Sequence, residues 1–281
     1  MTHPASAATV RFAGVVPPVL TPLNTDGTVD HTSLARHVEY LIGAGVSGLF
    51  ALGSTGETAY LTDTQRVEVA RTIVDTIVTT APLYTLNSAT EIADHFRAIA
   101  AAIDVPLWAY DVPVRVHTKL GLGLLMELAA EGVIQGVKDS SGDDVGFVRL
   151  VAANEAAGRP LQLLTGHEMV VDAMLLAGAD GVVPGFANVE AEGYVRLWNA
   201  AARGDWDEAR TEQKRINQLF ELVFLPIGLS GDATGVGAFK AAMVARGLID
   251  NATVSPGVES LDSAAVSSIR ALLAAHDLLP A

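Results

Sequence analysis

Cysteine is missing from all 281 residues, which excludes disulfides, thiolate metal sites and a cysteine nucleophile. Lysine is scarce: only Lys119, Lys138, Lys214 and Lys240 occur. Acidic residues outnumber basic ones 32 to 18, for a net charge of −14. That balance argues against nucleic acid as a partner, because such binding needs a basic footprint. No apolar run approaches the roughly eighteen residues that span a bilayer. Residues 1–12 have neither the basic start nor the apolar centre of a secretory signal. These absences predict a cytoplasmic protein with no membrane partner, in which an anionic substrate would need local positive charge.

What is present is a regular alternation. Short apolar runs at 14–20, 48–52, 76–80, 106–110, 134–138, 161–165 and 181–183 alternate with helical patterns at 32–44, 63–74, 91–103, 122–130, 145–155 and 169–177. Asp63 is a candidate cap for the second of these helices. Apolar strands separated by helices indicate a parallel sheet covered on both faces. After residue 190 the pattern is helical only, at 191–203, 206–224, 235–246 and 261–274. The expected architecture is an α/β barrel over residues 1–189. Residues 190–281 then supply its final helix and a C-terminal helical extension packed on it. Only seven strand-like runs are found. A barrel of eight fills its interior with layers from alternate strands, so one βα unit is missing from the simple pattern.

Polar residues gather at the carboxyl ends of the strand-like runs. Gly53-Ser54-Thr55-Gly56-Glu57 follows the second run, Ala81-Pro82-Leu83-Tyr84 the third, Tyr110-Asp111-Val112-Pro113-Val114-Arg115 the fourth, and Gly136-Val137-Lys138-Asp139-Ser140 the fifth. Each has an ordinary reading as well as a chemical one. The glycine-rich turn could hold a small anion or merely cap a helix. Tyr110 and Arg115 could move a proton and grip a carboxylate, or serve as a core aromatic and a surface cation. Lys138 could snorkel to water, or lie desolvated with a lowered pKa and a nucleophilic amine. Their shared position favours chemistry, because active sites of barrels are assembled at the carboxyl ends of the strands. His167-Glu168 lacks the second histidine of a helical zinc motif and is read as a loop pair, with no metal expected.

GSTGE at 53–57, YDVPVR at 110–115 and GVKDS at 136–140, in this order, resemble the dihydrodipicolinate synthase / N-acetylneuraminate lyase family of pyruvate-dependent class I aldolases. The resemblance runs from about residue 12 into the C-terminal helices. It implies a TIM (β/α)8-type barrel and a Schiff base between pyruvate and Lys138, with no further cofactor. Tyr110 would be the proton shuttle, joined by Ser54 and by Tyr84, which would reach into a neighbouring subunit's site. Thr55 and the turn around Gly53 would hold the pyruvate carboxylate, and Arg115 a carboxylate on the second substrate. Val183 lies where specificity is partly set. The implied partners are small molecules and further copies of the chain, as a homodimer or homotetramer.

The leading expectation is condensation of pyruvate with an aldehyde such as aspartate semialdehyde. Cleavage of a 2-keto-3-deoxy sugar acid to release pyruvate is the alternative. A non-catalytic ligand-binding barrel is the second alternative, because loss of the third βα unit would displace Thr55 from Lys138. Two departures from the family pattern are mild: Asp111 in place of the commoner asparagine, and Ser54 in place of threonine.

Overall fold

The computed structural model describes residues 13–73, 77–81 and 87–280. They fall into two compact units, each built from separate stretches of chain. One comprises the described residues of 75–167 and 173–182; the other comprises those of 14–74, 168–172 and 183–281.

The first unit contains a parallel sheet. Its strands are β2 (Ile77–Thr79), β3 (Leu107–Asp111), β4 (Gly136–Asp139), β5 (Gln162–Thr165) and β6 (Gly181–Val182), in the spatial order β6-β5-β4-β3-β2. Every residue of β3 and β4 is buried, as expected for strands covered on both faces. The register pairs Tyr110 with Lys138 and Asp111 with Asp139 across β3 and β4. Lys138 in turn lies opposite Leu164, and Asp139 opposite Thr165, on β5. Helix α3 (Ala89–Ala101) opens with a complete capping box, Ser88 and Glu91 each satisfying the other's backbone N–H. Helix α5 (Leu122–Ala130) packs on α3 and on α6 (Asp144–Ala156), burying Leu124, Leu125 and Leu128.

The second unit is mostly helical. It holds β1 (Gly14–Val15), α1 (His31–Gly43) and α2 (Asp63–Ile73), then α8 (Ala191–Ala202), α9 (Trp206–Phe220), α10 (Ala238–Ala245) and α11 (Ser263–Ala275). Helix α8 packs along α9, and α10 against α11. Phe186, Phe220 and Phe239 form an aromatic cluster with centroids 5.8–6.2 Å apart.

Several boundaries differ from expectation, each for a local reason. The first apolar run forms a strand only at Gly14–Val15, because Pro17 and Pro18 have no N–H to offer a ladder. The run at 48–52 contributes a single parallel bridge, Pro18 to Phe50, before Leu52 turns into the left-handed region at φ 55°. Asp63 does not cap α2. The cap is Thr62, whose hydroxyl accepts from Gln65 N while Gln65 Oε1 accepts from Thr62 N at 2.9 Å. The predicted helix at 206–224 changes to a 3₁₀ turn after Phe220, and the one at 235–246 starts as a π turn over Ala233–Gly237. The run at 169–177 is a 3₁₀ turn, Glu168–Val170, followed by the short helix α7 (Val171–Leu176).

Candidate active site

In the first unit, strand alternation decides which side chains meet. Tyr110 and Lys138 are register partners and therefore project from the same face of the sheet. Both are buried, with 8% and 5% of their surface exposed, and Lys138 Nζ lies 4.0 Å from the centroid of the Tyr110 ring. Burial disfavours the ammonium, whereas the electron-rich ring face favours it. A proton-carrying phenol and a buried amine are thus adjacent on neighbouring strands.

Asp111 and Asp139 come one residue later on each strand and project to the opposite face. Between them stands Lys119, from the connection into α5. It forms an ion pair with Asp111 and lies 3.4 Å from Asp139 Oδ2. Asp111 Oδ1 accepts from Leu120 N at 3.0 Å, and Asp139 Oδ1 accepts from Ser141 N at 2.8 Å and Ser141 Oγ at 2.7 Å. Burial works against the Lys119 ammonium, but the two carboxylates outweigh it and hold its pKa above the usual lysine value. Arg115 is exposed on the short helix α4 (Pro113–Val116), where its N–H closes the turn onto Val112 O.

In the second unit, the GSTGE segment is a tight turn. Gly53 and Gly56 are buried, and Ser54 and Thr55 half-buried. Thr21 Oγ1 donates to Gly56 O at 2.9 Å. A Cβ at Gly56 would sit 2.9 Å from Val19 O, so the chain passes where no side chain fits. Glu57, at φ 59°, points inward to accept from Ser255 N at 2.8 Å and to pair with Lys240, which also donates to Thr253 O at 2.8 Å. Burial lowers the pKa of Lys240, and the Glu57 carboxylate opposes that shift.

Val183 is buried and leads into the 3₁₀ turn Gly185–Asn188. The Glu168 carboxylate accepts from Gly185 N and, at 3.0 Å, from Phe186 N. A Cβ on Gly185 would lie 2.8 Å from Glu168 Oε1 and 3.5 Å from Thr55 Oγ1, so the Thr55 hydroxyl, this carboxylate and the turn after Val183 are neighbours. Asn188 closes the turn: its Nδ2 donates to Pro18 O and Gly185 O, while its Oδ1 accepts from Leu20 N at 2.9 Å and faces His37 Nε2 at 2.8 Å.

Of the residues singled out from sequence, Tyr110 and Lys138 are brought together in one unit, and Gly53, Ser54, Thr55 and Val183 belong to the other. Tyr84 lies outside the described residues. His167 Nδ1 is 2.9 Å from Asp144 Oδ1, and Glu168 caps a turn. Among the described residues, no three His, Asp or Glu side chains are grouped to hold a metal ion. Sequence reasoning missed the two lysine ties, Lys119 and Lys240. The signal was available: two acids at matching positions on adjacent strands, and a buried-motif glutamate, each need a cation, and lysines are few.

Comparison with known proteins decides the family. The model of the dihydrodipicolinate synthetase family matches residues 11–85 and 71–276. The chain belongs to that family. The two matched stretches overlap at 71–85, around the third strand-like run at 76–80. A DapA-like lyase of Halobacterium salinarum is 30% identical over 249 residues, covering 77% of this chain and 81% of that protein. The 4-hydroxy-tetrahydrodipicolinate synthase of Natronomonas pharaonis is 28% identical, covering 76% and 83%. Alignment with the synthase of Methanosphaerula palustris runs over 301 positions, more than this chain possesses, so this chain carries gaps against that protein. Among solved structures, dihydrodipicolinate synthase of Bacteroides thetaiotaomicron superposes with a TM-score of 0.87 at 25% identity, covering 94% of this chain and 98% of that one. The fold is therefore the family's α/β TIM-type barrel with C-terminal helices. The family's relatives are lyases and synthases by name, and this chain is an enzyme of that lineage.

Proposed function

We propose that the chain is a pyruvate-dependent Schiff-base lyase or synthase that joins pyruvate to an aldehyde such as aspartate semialdehyde. The observation that carries the reading is the buried Lys138 amine lying 4.0 Å from the Tyr110 ring at the carboxyl ends of β3 and β4. Lys138 Nζ adds to the carbonyl carbon of pyruvate, and expulsion of water leaves an iminium. The iminium is an electron sink, so a methyl proton becomes acidic and its loss gives an enamine. The enamine carbon adds to the aldehyde carbon, and water then releases the product and restores the amine. Tyr110 carries the protons. The electron sink is formed by the substrate itself, so the scheme uses no metal or organic cofactor.

Thr55 and the turn at Gly53 hold the pyruvate carboxylate in this scheme, with Ser54 and Tyr84 completing the hydroxyl relay. Fixing one reactant in this way supplies the large entropic contribution of a two-substrate reaction. Arg115, exposed one turn beyond β3, receives a carboxylate on the second substrate, and Val183 contributes to specificity, as the family resemblance implies. The relatives named as synthases favour condensation over sugar-acid cleavage. The reading extends to a cytoplasmic homo-oligomer. No described helix is long and apolar enough to cross a membrane.

Borohydride reduction in the presence of pyruvate tests the proposal. The protein should gain one pyruvyl adduct at Lys138, and Lys138→Ala should gain none. Incubation with pyruvate plus aspartate semialdehyde, or with a 2-keto-3-deoxy sugar acid, then separates synthesis from cleavage. A folded protein that takes up no adduct would overturn the reading and leave a binding barrel.

A further inference from the structure

Lys119 is held 36% exposed at its side chain between two carboxylates that directly follow the proposed reactive pair. Asp111 is fully buried and Asp139 is 6% exposed, and the register sets them opposite one another on β3 and β4. Two carboxylates so placed repel unless a cation stands between them. Each spends one oxygen on backbone or hydroxyl donors, at Leu120 and Ser141, and turns the other towards Lys119. The strand ends are joined by one further bond nearby, Ser140 N to Asp111 O at 2.8 Å. With a neutral asparagine at 111 the like-charge problem would not arise. In this chain the aspartate makes a cation necessary.

We infer that Lys119 is a positioning residue: by tying Asp111 to Asp139 on one face of the sheet, it sets the distance between Tyr110 and Lys138 on the other. The inference rests on the proposed Schiff-base chemistry at Lys138. Because Tyr110 and Asp111 share one strand end, and Lys138 and Asp139 the next, separation of the carboxylates separates the phenol from the amine. A displacement of about 1 Å at reacting groups can lower a rate by on the order of a hundredfold. The pyruvate carboxylate is held elsewhere in the scheme, so binding should be affected much less.

The test compares Lys119→Met, Lys119→Arg and the double variant Lys119→Met with Asp111→Asn. Loss of deuterium from methyl-deuterated pyruvate reports proton transfer at the enamine, and borohydride trapping reports adduct formation. Lys119→Met should lower the exchange kcat by about 10- to 100-fold with KM for pyruvate changed less than about threefold. Lys119→Arg should recover most of the rate. The double variant should be faster than Lys119→Met alone, since removing one charge relieves the repulsion. Wild-type exchange in Lys119→Met, or a loss that neither second variant restores, overturns the positioning role while leaving Lys138 in place. Failure of the wild-type protein to form an adduct overturns the Schiff-base reading itself, and this inference with it. Thermal unfolding of all three variants identifies a general loss of fold, which would lower the apparent kcat by shrinking the folded fraction while leaving KM unchanged.

Discussion

Glu57 and Lys240 form an ion pair in which neither side chain reaches solvent, at 2% and 0% exposure. The pair ties the last residue of the GSTGE turn to α10, almost two hundred residues along the chain. Ser255 N and Thr253 O complete it by bonding the carboxylate and the ammonium respectively. Removing one partner strands the other as a buried charge, an effect of about 3–5 kcal/mol. Lys240→Met and Glu57→Gln should each lower stability by this amount in urea unfolding. The double variant should lose much less than the sum of the two.

His37 predicts an acid-sensitive fold. Its ring is fully buried, and burial lowers its pKa from 6.5 to about 4, against the opposing effect of the Asn188 contact. The Asn188 amide donates through Nδ2 to two carbonyls, so its oxygen must accept from His37, which fixes a neutral Nε2–H tautomer. The unfolded chain binds this proton at pH 6.5 and the folded chain only near pH 4, so acidification through that window favours unfolding. Stability should fall by on the order of 3 kcal/mol between pH 7 and pH 4 from this group alone. Urea midpoints across that range, compared with those of His37→Gln, measure it. A His37→Gln slope as steep as the wild type's would contradict the assignment.

Asn188→Leu should be strongly destabilising, because one amide satisfies Leu20 N, Pro18 O and Gly185 O in the interior. Stranding a single buried group costs about 1–3 kcal/mol, so a loss of at least about 3 kcal/mol is expected. Thermal unfolding reads it directly.

Tyr110→Phe keeps the ring under the Lys138 amine but removes the hydroxyl. Borohydride trapping with pyruvate should still label Lys138, whereas turnover should drop by about 10²- to 10⁴-fold, as for loss of a positioned acid–base group. Equal losses in trapping and turnover would assign Tyr110 to binding instead.

Ser88→Ala removes half of the capping box on α3. The expected effect is about 1 kcal/mol of stability with kcat and KM unchanged. It serves as a control for the larger variants above.

The parallel sheet was legible because its strands are apolar on both faces, and 122–130 was read as a helix to the residue. Boundaries failed where a single residue overrules a pattern. Pro17 and Pro18 cut the first strand short, Leu52 ends the pairing at Phe50, and Thr62 takes the capping place expected of Asp63. Periodicity averages over such residues, while a missing N–H or a left-handed φ acts at one position. Lys138 and Tyr110 were identifiable because motif and strand end coincide. The ties made by Lys119 and Lys240 were missed, since one lies on the face away from the proposed chemistry and the other has its partner far off in sequence.

The ladder between β3 and β4 gives this sheet an unusual sensitivity to slippage. In Tyr-Asp and Lys-Asp, each reactive residue is followed at once by the acid that anchors it. Sliding one strand by one position would turn its carboxylate to the face that carries the phenol and the amine. An insertion or deletion of one residue within either strand therefore parts Tyr110 from Lys138, because that strand's side chains change face while its neighbour's do not.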